Sequence, residues 1–116
     1  MIIISAYNPD WPREFEQAAK HIRSVLDDSM LTIHHIGSTS VPGLAAKSII
    51  DMLMEVKDLE RLDQQNLAME KLGYEVMGEY GIAGRRYFRK GHPLRTHHLH
   101  AFASGDSNIL RHIAFR

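Results

Sequence analysis

The sequence predicts an α/β (α+β) domain, a mixed β-sheet with helices packed on it. Three observations carry that prediction. An amphipathic helical stripe opens the chain, and two short apolar runs rich in β-branched residues follow it. Beyond Gly73 the hydrophobic period drops from the helical value to two, over three successive segments. Three strands with no helix between them argue against a doubly wound parallel sheet. With 116 residues there is room for one domain, spanning 1–116, and one hydrophobic core.

The elements follow in order. Residues 2–5 suit a short strand. Asp10 reads as a helix N-cap with Pro12 tolerated in the first turn. Trp11, Phe15, Ala18, Ile22 and Val25 then recur at helical spacing, which predicts an amphipathic helix over 11–27. LTIHHI, residues 31–36, reads as a strand ending at Gly37-Ser38. GSTSVPGLAAK is a loop with room for one helical turn. SIIDMLMEV, residues 48–56, is almost wholly apolar apart from Asp51 and Glu55, as an interior strand covered on both faces should be. Asp58 begins a second helix that closes at Leu72-Gly73, with glycine after its last turn. YEVMGEY, RRYFRK and THHLHAFA form three strands joined by Gly-containing turns, and a last helix runs from Ile109 to Arg116.

Composition narrows the function. There is no cysteine, which excludes disulfides and thiolate metal sites. Lys plus Arg and Asp plus Glu number 14 each, so no global field exists to hold a long nucleic acid. The opening MIIISAYNPDW lacks a basic region and a long apolar run, so neither a signal peptide nor a membrane span is expected, and a cytoplasmic location follows. Charge is uneven, however. Arg85, Arg86, Arg89, Lys90 and Arg95 lie close together with no acidic residue among them. Such a segment suits a small phosphorylated ligand, or equally a strand edge protected by charge.

The residues able to carry chemistry begin with HHIGSTS. A strand ending in Gly37-Ser38 lets a phosphate approach the main chain, with Ser38 and Thr39 offering N–H and hydroxyl donors. A plain strand-to-loop turn would look the same. Thirteen positions beyond Ser38, however, lies Asp51, a carboxylate in an apolar strand. A buried carboxylate needs a partner, a hydrogen bond or a metal. Lys47, between them, can neutralise phosphate charge. A strand-end Gly-Ser followed at this distance by a strand carboxylate is the layout of nucleotidyltransferase-type sites, in which the turn holds phosphates and carboxylates hold divalent metal.

On THHLHAFA, His98 and His100 share one strand face with Phe102, while His97 points the other way. A His-x-His pair binds a metal, supplies a general acid and base, or simply hydrogen-bonds backbone. With Asp51 beside it, the set suits Zn²⁺ or Mn²⁺ better than Mg²⁺. Arg85, Tyr87 and Arg89 share one face of their strand and Arg86 and Phe88 the other. An inward Arg86 would meet a phosphate or Asp51, whereas outward arginines would pair with Glu75 or Glu79. His21 and His112 fall on predicted helices and read as surface or boundary residues.

HHIGSTSVPGLAAKSIIDMLMEV, taken with RRYFRKGHPLRTHHLHAF and LRHIAFR, resembles the GrpB family over most of the chain. The resemblance implies a nucleotidyltransferase-type fold. It also implies a nucleotide or coenzyme context, because GrpB-like domains occur fused to dephospho-coenzyme A kinase. Such proteins usually continue for several tens of residues beyond the point where LRHIAFR stops, so either the native protein is short or this is a fragment, and missing C-terminal helices would cover the sheet, complete the pocket or leave an apolar face open for a homodimer. One departure stands out: active members of that superfamily carry Asp-x-Asp or Asp-x-Glu, but here Met52 and Leu53 follow Asp51. Glu55 lies roughly 13 Å along the strand, too far to replace the missing carboxylate where two metals sit about 4 Å apart.

The expected centre is therefore Asp51, His98 and His100 as catalytic groups, with Gly37, Ser38, Thr39, Lys47 and Arg86 on the phosphate. Asp51 and His98 are the candidate ligands of one divalent ion (Mn, Zn or Mg). The expected ligand is a nucleotide or other phosphorylated small molecule, bound with metal-assisted transfer or, alternatively, by a non-catalytic module.

Overall fold

The computed structural model describes residues 4–114. Helix α1, Trp11–Leu26, is followed by a 3-10 turn and strand β1, Met30–Ile36. A long connection with a 3-10 turn at Ser38–Ser40 leads to β2, Ile50–Val56. Two short helices, α2 (Leu59–Asp63) and α3 (Asn66–Lys71), precede β3 (Tyr74–Val76), β4 (Arg85–Lys90) and β5 (His97–Ala103), and α4 (Ser107–Ala114) follows. The sheet runs β1-β2-β5-β4-β3, with β2 and β5 parallel and the other neighbours antiparallel. The predicted mixed α+β class is the observed one. Of the predicted N-terminal strand, residues 2 and 3 lie outside the described residues, and Ser5 makes an isolated antiparallel bridge with Ala46.

The two faces of the sheet are unlike. One receives Ile33, Met52, Met54, Leu99, Ala101 and Phe88, and it packs under Trp11, Phe15, Ile22 and Leu26 of α1 with Leu62 and Met69 of the short helices. This is the main core. On the other face the described residues form a smaller cluster, Ile36, Leu53 and Phe102 under Ile109 of α4. Because α4 covers just that end, the remainder of the second face is lined by the polar residues of β2, β4 and β5.

Three expectations need correction. Asp10 does occupy the N-cap position of α1, but its side chain makes no capping bond; it pairs with Arg13 at 2.8 Å, and Asn8 Oδ1 takes the Asp10 N–H instead. The helix expected from Asp58 to Leu72 does start there, with the Asp58 carboxylate accepting from Arg61 N–H at 2.8 Å, but it breaks at Gln64-Gln65. The Gln65 side chain accepts from Ser29 Oγ and donates to the Val25 carbonyl, so tertiary bonds hold it where a continuous helix would carry it elsewhere. YEVMGEY is a strand only to Val76, since Gly78, Tyr80 and Gly81 all adopt positive φ.

His97, on the helix-covered face, packs edge-on against Tyr74. Burial pushes its pKa down to about 4, helped by Lys90 and His98. The unfolded chain takes up a proton near the ordinary histidine value, and the folded chain does so only near 4. Its contribution to stability is thus complete above about 6.5 and is lost as pH falls toward about 4. Denaturant titrations of wild type and His97→Gln between these values should show a shallower acid loss in the variant.

Candidate functional site

Register places a row of chemistry across the open face. Ile36 pairs with Asp51, Asp51 with His98, His98 with Arg89 and Arg89 with Glu75. One step along, Leu53 pairs with His100 and His100 with Tyr87. Side chains alternate along a strand, so Asp51, His98, His100, Arg85, Tyr87 and Arg89 all rise on this face. His97 and Arg86 go to the other.

Asp51 is held from two sides. His100 Nε2 lies 3.0 Å from its Oδ1. The other ring nitrogen, Nδ1, lies 3.3 Å from Nη1 of Arg85. A guanidinium only donates, so Nδ1 accepts, the ring is neutral, and its proton sits on Nε2 and is given to Asp51. Arg85 is itself 6% exposed and anchored by the carbonyls of Glu79 (3.1 Å) and Tyr80 (2.7 Å). A chain Arg85 to His100 to Asp51 thus fixes the carboxylate and gives a buried cation an anion one residue away. On the opposite side, a Cβ built on Gly37 would lie 3.2 Å from both Cβ and Oδ2 of Asp51. Gly37 has φ 73° and ψ −172°, a conformation essentially confined to glycine. Gly37→Ala should therefore cost about 1–3 kcal/mol and displace the Asp51 carboxylate, read as a lower Tm and a shifted Asp51 signal by NMR.

An open cleft of about 370 Å³ lies beside this pair, lined among others by Gly37, Ser38, Lys47, Asp51 and His98. Its size is that of a small-molecule site. The bridge between Ser5 and Ala46, with backbone bonds of 2.8 and 2.9 Å, pins the far wall. Lys47 and Ser38 are exposed along it. Burial pushes the His98 pKa below its ordinary value despite the Asp51 carboxylate, so the imidazole is neutral at pH 7. A second cleft on the far side of Gly37 is lined by Ile36, Asp51, Arg111 and His112.

Two predicted phosphate ligands are placed otherwise. Arg86 is turned to the helix-covered face and makes a two-pronged ion pair with Asp63, at 2.8 and 3.1 Å. That pairing also raises its pKa. It cannot reach the cleft. Thr39 is 2% exposed, and its hydroxyl donates to the Ile49 carbonyl at 3.1 Å and meets His35 Nε2 at 2.9 Å. The side chain braces the loop, although the residue still lines the cleft. The expected arginine–glutamate pairing is found for Glu75, which takes both Arg89 and Arg95, and its pKa is lowered chiefly by Arg95. Glu79 accepts from the Gly84 N–H instead.

His112, read from sequence as a surface or boundary residue, is half-buried and packs its ring 5.0 Å from His100 and 5.2 Å from Phe102. Its Nδ1 lies 2.8 Å from the Asn108 carbonyl four residues earlier, so Nδ1 donates. The one sequence signal was the spacing of Asn108, Arg111 and His112 on a single helix. Arg85 was visible only as half of an undecided choice between two strand faces. Among the described residues no three His, Asp or Glu side chains come together as a metal-holding group. The donor set therefore does not fit a transition metal held by protein alone.

A mixed sheet with one helix-packed face and one polar face, bearing a braced carboxylate beside a glycine turn and an open cleft, defines an α+β domain with a candidate site on its polar face. The chain belongs to the GrpB family, whose model, described as GrpB protein, matches residues 1–116. It is 47% identical over 113 residues to the UPF0157 protein YqkA of Bacillus subtilis, covering 97% of this chain and 33% of that protein. It is 28% identical to the glutamate-rich protein GrpB of Alkalihalophilus pseudofirmus, over 99% of this chain and 69% of that one. The crystal structure of the conserved protein GrpB from Enterococcus faecalis superposes with a TM-score of 0.94 at 48% identity, covering 98% of this chain and 70% of the other. A partial match joins 58% of this chain, at 29% identity, to 17% of the dephospho-CoA kinase of Mycolicibacterium paratuberculosis. The chain spans from about a third to about six-tenths of the length of the UPF0157 relatives it matches. No helix among the described residues is long and apolar enough to cross a membrane.

Proposed function

We propose that this domain binds a phosphorylated small molecule of the nucleotide class in the cleft beside Gly37-Ser38 and does not transfer a nucleotidyl group. The observation that carries the reading is the convergence of Gly37, Ser38, Lys47, Asp51 and His98 on one cleft. Lys47 and the Gly37-Ser38 turn would receive the phosphate. His98, neutral at pH 7, accepts or donates one hydrogen bond at its edge. Among the described residues that line the cleft, Asp51 is the one carboxylate. It suits a divalent ion carried in by the ligand's phosphates, since Mg²⁺ keeps most of its waters and needs only one or two protein carboxylates. The partial likeness to a dephospho-CoA kinase agrees with a ligand of this class.

Leu53 favours binding over transfer. It occupies the position two residues beyond Asp51, on the same face, and is fully buried against Ile36, Phe102 and Ile109. A second carboxylate there would lie in an apolar cluster, so the two-ion geometry of nucleotidyl transfer has no counterpart. Calorimetric titration with pyrophosphate and nucleoside diphosphates, with Mg²⁺ present, tests the proposal. Binding should be measurable and roughly tenfold weaker in Lys47→Ala. No heat with any of these compounds would refute it.

A further inference from the structure

We propose that the outward face of the Tyr80 ring is the seat of a planar heteroaromatic ring, which makes a nucleotide base part of what the cleft recognises. The inference rests on the phosphate-cleft reading and specifies its ligand. Tyr80 is a large aromatic residue left 54% exposed on the face that carries Asp51 and His98. Its inner side stacks on Tyr87, with centroids 5.4 Å apart and planes 23° from parallel. The Arg89 guanidinium lies 5.6 Å from the ring centroid, and its Nη1 donates to the Tyr80 hydroxyl at 3.5 Å. Tyr87 and Arg89 are two apart on one strand face, so both contacts come from the sheet, and the exposure belongs to the part of the ring turned away from it.

The ring is also held in place. Tyr80 adopts φ 48°, uncommon for a bulky side chain. Arg85 fixes that conformation by donating to the carbonyls of Glu79 and Tyr80. The guanidinium that braces Asp51 through His100 therefore also fixes the aromatic platform. An exposed ring pre-set over a cation and a second ring is a stacking surface for any base, because every base has a π-face. Position supports it. Arg89, which touches the ring, is aligned with His98 and His98 with Asp51, so its strand position lies two strand spacings, roughly 10 Å, from that of the carboxylate. A ribose and its phosphates bridge such a gap.

The test compares ADP with pyrophosphate by calorimetry at one Mg²⁺ concentration, on wild type, Tyr80→Asn and Tyr80→Phe. Asparagine tolerates positive φ, so the loop keeps its path, and phenylalanine keeps the ring. Wild type should bind ADP at least about tenfold more tightly than pyrophosphate. Tyr80→Phe should keep that preference, and Tyr80→Asn should lose it while its pyrophosphate affinity is unchanged. Equal affinities in wild type, or a preference that survives in Tyr80→Asn, would overturn the platform and leave the phosphate cleft standing. No binding of either compound would overturn both.

Discussion

Arg85→Ala is expected to destabilise the domain by about 3 kcal/mol or more. The side chain is almost wholly buried and serves three acceptors, the carbonyls of Glu79 and Tyr80 and Nδ1 of His100. Each buried acceptor left without a donor costs about 1–3 kcal/mol. The guanidinium also stands 4.8 Å over the Tyr87 ring, a cation–π attraction that alanine cannot supply. Burial pushes its pKa below the usual guanidinium value, yet an arginine stays charged at any working pH. Arg85→Lys should rescue only part of the stability, because one ammonium cannot span a planar fork of three acceptors. Urea unfolding measures both variants, and a destabilisation under about 1 kcal/mol for Arg85→Ala would show that the residue anchors nothing.

That residue also marks where the sequence stops being informative. RRYFRK is read as a strand to the residue, and its two faces are separated correctly as Arg85, Tyr87, Arg89 against Arg86, Phe88. Which face meets the helices is not legible, because both carry an aromatic residue. Packing decides it: Phe88 enters the main core at 1% exposure, so Arg86 follows it and finds Asp63, and Arg85 turns to the open face. In β5 the same question has a readable answer. Leu99 and Ala101 stand on one side, so His98 and His100 fall on the other. Asp51 and the Gly37 turn were legible as a pair because a carboxylate in an apolar strand needs a reason. His112 was not, since only the docking of α4 on Phe102 and Leu53 brings it to His100. The break at Gln64-Gln65 is likewise tertiary, made by bonds to Ser29 and Val25 that no local pattern announces.

Asp51→Asn is expected to change phosphate affinity in opposite directions with and without a divalent ion. Without metal, the wild-type carboxylate repels the incoming anion at close range, and removing the charge should strengthen pyrophosphate binding by roughly tenfold. With Mg²⁺ or Mn²⁺ in excess, wild type should gain affinity because the ion is shared between Asp51 and the phosphate oxygens, whereas the variant should gain little. The amide can still accept from His100 Nε2, so the fold should survive the change, and a near-native Tm confirms that it does. Identical affinities of the two proteins in both buffers would remove Asp51 from the site.

The location of the ligand is tested most directly by NMR. In a chain of 116 residues, amide and imidazole signals can be followed one by one as pyrophosphate and then ADP are added with Mg²⁺. The shifts should concentrate at Gly37, Ser38, Lys47 and His98, with Tyr80 joining only when ADP is present. On the other side of the sheet lies a cleft of about 320 Å³ lined by Phe15, Ile33, His34, His35 and Ser40, which should stay silent. Shifts centred on that cleft, with Gly37, Lys47 and His98 unmoved, would contradict the assignment of the binding site.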